Sequence, residues 1–271
     1  MPTVLITGTS SGYGLAAVEH FLRQGWRVIA TMRTPDPRLF RPSGQLRVLA
    51  LDVTDEASIA RAIDQGIEAF GGIDVLVNNA GIGLLSAFEA TPPAVTRELF
   101  ETNTFGTMAM TRALIPHLRE AGQGAIVNVT SSVCFAGMPL VAPYAASKWA
   151  IEGFTEALFF ELEPFGVRVK LVEPGYGPGT RFTANGQSRM DGLLPPAYQG
   201  YAEQLMTSFA QPAAITTADE VAHAIHAAAT DHSDRLRFPA GPDSAQLANA
   251  RWTHTDEGFL QGMRAMLRMR R

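Results

Sequence analysis

Short apolar, β-branched runs recur along the chain at 3–7 (TVLIT), 27–31 (RVIAT), 46–51 (LRVLAL), 73–77 (IDVLV), 125–129 (AIVNV), 167–172 (VRVKLV) and 236–239 (LRFP). They are nearly continuous rather than alternating, as strands buried on both faces should be. The intervening segments have helical spacing. Leu15, Val18 and Leu22 share one face, and Gly25 follows where a left-handed residue ends a helix. Thr54 and Asp55 open a second helix with Ile59, Ile63 and Ile67 on one stripe, and Pro92 and Pro93 occupy the first turn of a third. Strand, helix, strand, repeated, predicts an α/β fold: one doubly wound parallel sheet of about seven strands with helices on both faces.

Composition adds limits. The 271 residues show no repeat, linker or second composition regime, so the expectation is a single domain over 1–271. Net charge is −4, and the one basic cluster is the tail holding Arg264, Arg268, Arg270 and Arg271, so nucleic acid is not an expected partner. A single cysteine, Cys134, precludes an intrachain disulfide and suits a reducing compartment. No charged-then-apolar leader precedes the first strand and no run approaches the ~20 apolar residues of a membrane span, so the expectation is a cytoplasmic protein without a membrane partner. Two long irregular stretches, 34–45 and 174–200, stand out, and loops of that length are either functional or mobile.

The first strand runs directly into TGTSSGYG. Gly8, Gly12 and Gly14 leave the backbone bare where helix one begins, so amide N–H groups can face an anion at the positive helix end. Thr9, Ser10 and Ser11 can add hydroxyl donors, and Tyr13 lies within the same loop. This arrangement predicts a phosphate cradle. Strand two ends in ATMR, with Met32 and Arg33 where an NAD-binding sheet carries an acid. An arginine there can receive a 2′-phosphate, which predicts NADP(H).

At 144–148 the chain reads YAASK, placing Tyr144 and Lys148 four apart on one helix face. Ser131 lies thirteen residues upstream at the end of AIVNVTS, and Asn103 lies in NTFG. With TGTSSGYG, LDV at 51–53, NNAG at 78–81 and EPG at 173–175, these motifs resemble the short-chain dehydrogenase/reductase family, in register from residue 3 to about 180. ATMR and ELEPFGVRVKLVEPG are similar to its NADP-dependent hydroxysteroid-dehydrogenase-like subgroup.

The resemblance implies a Rossmann-type fold with a cofactor-binding and catalytic core over 1–173, a substrate lid over 174–210 after strand six, and C-terminal helices with the last strand over 211–271. It implies catalytic roles for Asn103, Ser131, Tyr144 and Lys148. Tyr144 is the proton donor or acceptor, Lys148 lowers its pKa and holds ribose, and Asn103 anchors a water leading to solvent. Ser131 holds the substrate oxygen, with Ser132 as the competing serine. Asp52 and Val53 are implied at adenine, and Asn79, Ala80 and Gly81 beside ribose. Pro174 and Gly175 flank the cofactor. Thr180 stands in for a carboxamide contact, although EPGYGPGTRF delays it by about one residue.

The apolar lid residues Tyr176, Phe182, Met190, Leu193, Leu194, Tyr198 and Met206 either line a pocket for a hydrophobic ketone or alcohol or pin the lid to the sheet. The histidines at 20, 117, 223, 226, 232 and 254 are scattered, and His223 with His226 reads as a helix edge, so no metal is expected. Neither serine sits in G-x-S-x-G, so a triad hydrolase has no support. The expectation is an NADP(H)-dependent oxidoreductase acting on a hydrophobic ketone or alcohol, a homodimer or homotetramer paired through helices at about 94–119 and 143–163. The alternative is a non-catalytic NADP-binding sensor on the same scaffold.

Overall fold

The computed structural model describes residues 1–178, 190, 192–210 and 214–267. Its strands are β1 (Thr3–Thr7), β2 (Arg27–Met32), β3 (Leu46–Ala50), β4 (Val75–Asn78), β5 (Gly124–Val129), β6 (Val167–Pro174) and β7 (Arg237–Ala240). All pair in parallel in the order β3-β2-β1-β4-β5-β6-β7. The chain winds outward from β1 to β3, then returns across β1 to begin β4. A crevice therefore opens between the C-terminal ends of β1 and β4, where ligands of such sheets bind.

The helices are α1 (Gly12–Arg23), α2 (Glu56–Phe70), α3 (Pro93–Phe100), α4 (Gly106–Ala121), α5 (Ala142–Leu162), α6 (Pro196–Ala210), α7 (Ala218–Thr230), α8 (Pro242–Thr253) and α9 (Asp256–Met266). Strand alternation sorts them onto the two faces. Val4 and Ile6 of β1 join a buried cluster with Phe21 of α1 and Val221 and Ile225 of α7. Leu5, pointing the other way, packs with Ile59 of α2, Leu114 of α4 and Leu158 of α5. Each such fully buried Leu or Ile contributes roughly 1.5–3 kcal/mol relative to leaving it in water. Asp55 caps α2 by accepting from Ala57 N at 2.9 Å, and Gly25 takes φ +78° just past α1.

The expected long third helix contains a feature that spacing does not reveal. Between α3 and α4 runs one π-helical turn, Glu101–Phe105, without a break in the helical backbone. The stretch expected to be irregular up to residue 200 already becomes α6 at Pro196, a residue suited to a helix's first turn. Ala202 and Leu205 of α6 pack with Phe259 and Met263 of α9, and with Ala87, Ala136 and Leu140. A roof thus lies over the C-terminal edge of the sheet. Among the described residues, no helix is long and apolar enough to cross a membrane.

Candidate active site

The glycine loop is clamped onto the end of β4. Thr7 Oγ1 accepts from the amides of Asn79 (3.0 Å) and Ala80 (2.9 Å). Asn79 Nδ2 donates back to the carbonyls of Thr7 (2.9 Å) and Gly8 (3.1 Å). The two segments are so close that a Cβ on Gly8, itself at φ +72°, would lie 2.7 Å from Ala80 Cα, and one on Gly14 would strike the Gly8 carbonyl oxygen. Thr9 departs from its expected role as an anion donor. It is fully buried, and its hydroxyl donates to Thr31 O at 3.1 Å, tying the loop to β2.

Ser10 is exposed, and Ser11, the N-cap of α1, makes no side-chain capping bond. No acid occupies the first turn. The positive end of α1 is therefore not neutralised by the chain's own side chains, and the loop fits a pyrophosphate. Tyr13 reaches across to the segment after β6. Its hydroxyl touches Gly177, and burial, with Asp243 as a smaller influence, pushes its phenol up to about 12.

Arg33 is exposed just beyond β2, and Asp52 stands beyond the neighbouring β3. Asp52 Oδ1 accepts from Thr54 N (2.9 Å) and Thr54 Oγ1 (2.7 Å). Those bonds hold its carboxyl below the usual range, with the Arg33 charge adding to them. Val53 is buried where α4 begins, so close that a Cβ on Gly106 would meet its side chain at 2.8 Å.

Asn103 sits in the π-helical turn and is buried. Its Oδ1 accepts from Ile82 N (2.8 Å), and its Nδ2 donates to Ile82 O (2.9 Å) and to Ser147 Oγ (3.1 Å). Ser147 in turn donates to the Tyr144 carbonyl at 2.7 Å. The asparagine amide is thus a clamp linking the chain after β4 to the helix that carries Tyr144 and Lys148. Gly81 presents its bare side between Asn103 Oδ1 and Lys148 Nζ, which would lie 3.2 and 3.4 Å from a Cβ there.

Tyr144 and Lys148 are both buried on α5, and Lys148 Nζ donates to Val129 O at the end of β5 (3.0 Å). Tyr144 is hydrogen-bonded to Ser131. The expectation is a phenol lowered by its neighbouring ammonium together with the positive nicotinamide of the oxidised cofactor; the burial of the site acts in the opposite direction. Burial raises Tyr144 well above its ordinary value, and the Ser131 bond only partly offsets this. Burial also lowers Lys148 to about 8, against the opposing pull of Cys134 and Glu152. Both shifts have the same cause: a dry site disfavours charge.

Behind Lys148 lies a polar cluster that the motifs do not announce. Glu152, one turn along α5, accepts from Thr130 Oγ1 (2.6 Å) and from Arg237 Nε (3.2 Å). Glu173 of β6 is fully buried, 3.8 Å from the same Arg237 nitrogen, and is raised to about 9 by burial and then by Glu152. Just past β6, Tyr176 N donates to Asp243 Oδ2 (2.6 Å), and a Cβ on Gly175 would strike that carboxylate. Pro174 and Gly175 are thus held at the mouth of the sheet by a residue of α8. Ser147, Glu152 and Asp243 are the positions that motif reading missed. Ser147 and Glu152 lie on the same helix as Tyr144 and Lys148, which was the one available signal, and Asp243 had none. Thr180 and Phe182 lie outside the described residues. Leu193 packs beside Tyr144, together with Leu84, Leu99 and the partly buried Val133.

A parallel sheet with a bare glycine loop at its switch point, beside a half-buried serine and a buried tyrosine–lysine pair, defines an enzyme that moves hydride between a nicotinamide dinucleotide and a carbonyl or alcohol carbon. Comparison with known proteins agrees: residues 2–190 match the family model for short chain dehydrogenase, and the chain belongs to that family. It is 36% identical over 249 residues to the uncharacterized oxidoreductase YusZ of Bacillus subtilis, covering 88% of each chain. It is 41% identical over 183 residues to a 3-ketodihydrosphingosine reductase of Bacteroides thetaiotaomicron (67% of this chain, 66% of that one). Bovine retinol dehydrogenase 8 is 40% identical over 185 residues (64% and 58%).

Among solved structures, a short-chain dehydrogenase from Streptomyces avermitilis superposes with a TM-score of 0.79 at 32% identity, over 98% of this chain and 94% of that one. A Burkholderia cenocepacia short chain dehydrogenase in complex with NADP gives 0.74 at 28% identity (98% and 97%). A Brucella melitensis 3-ketoacyl-(acyl-carrier-protein) reductase complexed with NADH gives 0.71 at 25% identity (88% and 96%). Neighbours of this fold therefore hold either dinucleotide.

Proposed function

We propose that this enzyme uses NADPH to reduce hydrophobic ketones, in the manner of the hydroxysteroid-dehydrogenase-like subgroup. We place it in the cytoplasm as a homodimer or homotetramer, a single domain with residues 174–210 as its substrate lid. The observation that carries the reading is the buried Tyr144 phenol, hydrogen-bonded to Ser131 and one helical turn from Lys148. When bound, the dinucleotide supplies the hydride.

The chain's own residues supply the rest. Ser131 and Tyr144 present two hydroxyls to one carbonyl oxygen, so charge developing there meets donors already in place. Burial keeps Tyr144 protonated at neutral pH, the form that can give its proton to that oxygen. Hydride on carbon and proton on oxygen complete the alcohol, and the Lys148 ammonium steadies the phenolate left behind. Lys148 is charged below about 8, so turnover should decline as pH rises through that value.

Leu84, Leu193 and Val133 give the oxygen-binding end an apolar wall. That wall, and the long-chain ketone and retinol in two relatives' names, support a hydrophobic substrate. Arg33, with no acid at the end of β2, supports NADP(H).

The test is a set of steroid and long-chain aliphatic ketones followed by NADPH absorbance. Tyr144→Phe should lower kcat at least ~100-fold with NADPH affinity retained, the range for losing a general acid. Arg33→Ala should cut the NADPH-over-NADH ratio of kcat/KM at least ~10-fold, as losing a charge-assisted phosphate contact does. Full turnover by Tyr144→Phe overturns the mechanism, and an unchanged ratio overturns the cofactor preference.

A further inference from the structure

Folding brings together histidines that are far apart in the sequence. His20, near the end of α1, meets the face of α7 that carries Asp219, His223 and His226. The His20 ring centroid lies 4.3 Å from that of His223 and 5.1 Å from that of His226. One ligand atom each from His20, Asp219 and His223 lie within 4.8 Å of one another, the one such trio among the described residues.

His20 is 3% exposed, and its buried Nδ1 has no hydrogen-bond partner among the described residues. A polar atom left in that state calls for an explanation.

His223 Nδ1 lies 2.8 Å from the Asp219 backbone carbonyl, which can only accept, so that nitrogen is the donor and Nε2 is the one left to face a metal. This is how a metal-binding imidazole is commonly oriented. Asp219 Oδ2 lies 3.4 Å from His223 Nδ1, and its Oδ1 faces Arg23 at 3.5 Å, so a turn of the Asp219 side chain is needed to bring a carboxylate oxygen to the Nε2 side. Asp219 and His223 are both more than half exposed and can close around an ion by rotation, whereas His20 is held by packing.

We propose that His20, Asp219 and His223 form a binding site for a zinc-class divalent transition metal that staples α1 to α7. Two imidazoles and one carboxylate suit Zn²⁺ or Ni²⁺ rather than Mg²⁺ or Ca²⁺, which take oxygen ligands. Water or His226 completes the shell. At 1.5 Å per residue, His20 stands about 12 Å along α1 from Gly12, so the ion is structural and takes no part in hydride transfer.

Untagged, chelator-treated full-length protein titrated with Zn²⁺ should bind one equivalent, and Tm should rise by roughly 5 °C at a hundredfold excess over Kd. His223→Ala and Asp219→Asn, both at exposed positions that leave the core intact, should each weaken binding at least ~10-fold. Arg23→Ala should tighten it by removing a competing cation. His232→Ala, remote from the cluster, should change nothing. Absence of Zn²⁺ binding by the wild-type chain overturns the proposal, as does unchanged affinity in both His223→Ala and Asp219→Asn.

Discussion

At the scale of single residues, this protein is governed by what burial does to charge. Two glutamates, Glu152 and Glu173, share one arginine behind the candidate catalytic lysine, and the structure satisfies them unequally. Glu152 has Thr130 and Arg237 within hydrogen-bond distance. Glu173 is fully buried, with the Arg237 charge no nearer than 3.8 Å. Two like charges in a dry site do not both ionise, so Glu173 keeps its proton.

The linkage follows in sign. A folded-state pKa of about 9, against 4.5 for the free group, makes the native state bind the extra proton. The stability this brings is fully present below about 4.5 and is lost as pH rises toward about 9. Glu173→Gln removes that dependence. In urea unfolding, the variant should gain on wild type as pH rises through this window, by at most about 1.4 kcal/mol per pH unit. A constant difference across the window would mean Glu173 is ionised in the native state. None of this was legible in VEPG, because the residues that determine the proton's position come from β6, α5 and β7.

At the scale of elements, helix starts and helix irregularities place the site. The first turn of α1 must lie against Gly8 and Asn79, and Gly14 permits it. A methyl at Gly14 would meet the Gly8 carbonyl, a backbone atom that cannot rotate aside. Gly14→Ala is therefore expected to cost about 1–3 kcal/mol in stability, as overpacking does, and to weaken NADPH binding at least tenfold by fluorescence titration. Gly25→Ala is the matched comparison. It has open space around it but φ +78°, so it should lose about 1 kcal/mol through backbone strain and leave NADPH affinity unchanged. If both variants bind NADPH equally well, the loop is not the cradle.

The π-helical turn is the other element-scale device. Glu101–Phe105 holds Asn103 where its amide reaches Ile82 and Ser147. The expected helix at about 94–119 gave no hint of it, because a wide turn leaves the backbone helical and carries no motif of its own.

At the scale of the whole molecule, α5 carries Trp149 and Phe160 on one exposed face, with Gly153 between them and nothing within 4 Å of where its Cβ would be. An exposed face of this kind, apolar but for Glu156, suits a second copy of the chain. Phe160→Glu should convert the proposed dimer or tetramer to a smaller species in sedimentation velocity, and an unchanged coefficient would remove α5 from the interface.

What the sequence determined by itself was whatever depends on local pattern. Continuous apolar runs mark buried parallel strands, and glycines at fixed offsets mark a loop that must come close. A tyrosine and a lysine four apart must share a helix face. Tertiary structure decided everything that depends on which atoms meet across the fold. It turned Thr9 inward to β2, raised the Tyr144 phenol where proximity alone suggested lowering it, and seated Tyr13 under the segment after β6. It also gathered His20 with residues some two hundred positions away. The reason is physical: pattern records which faces are wet or dry, whereas desolvation and hydrogen bonding depend on neighbours that distant segments supply.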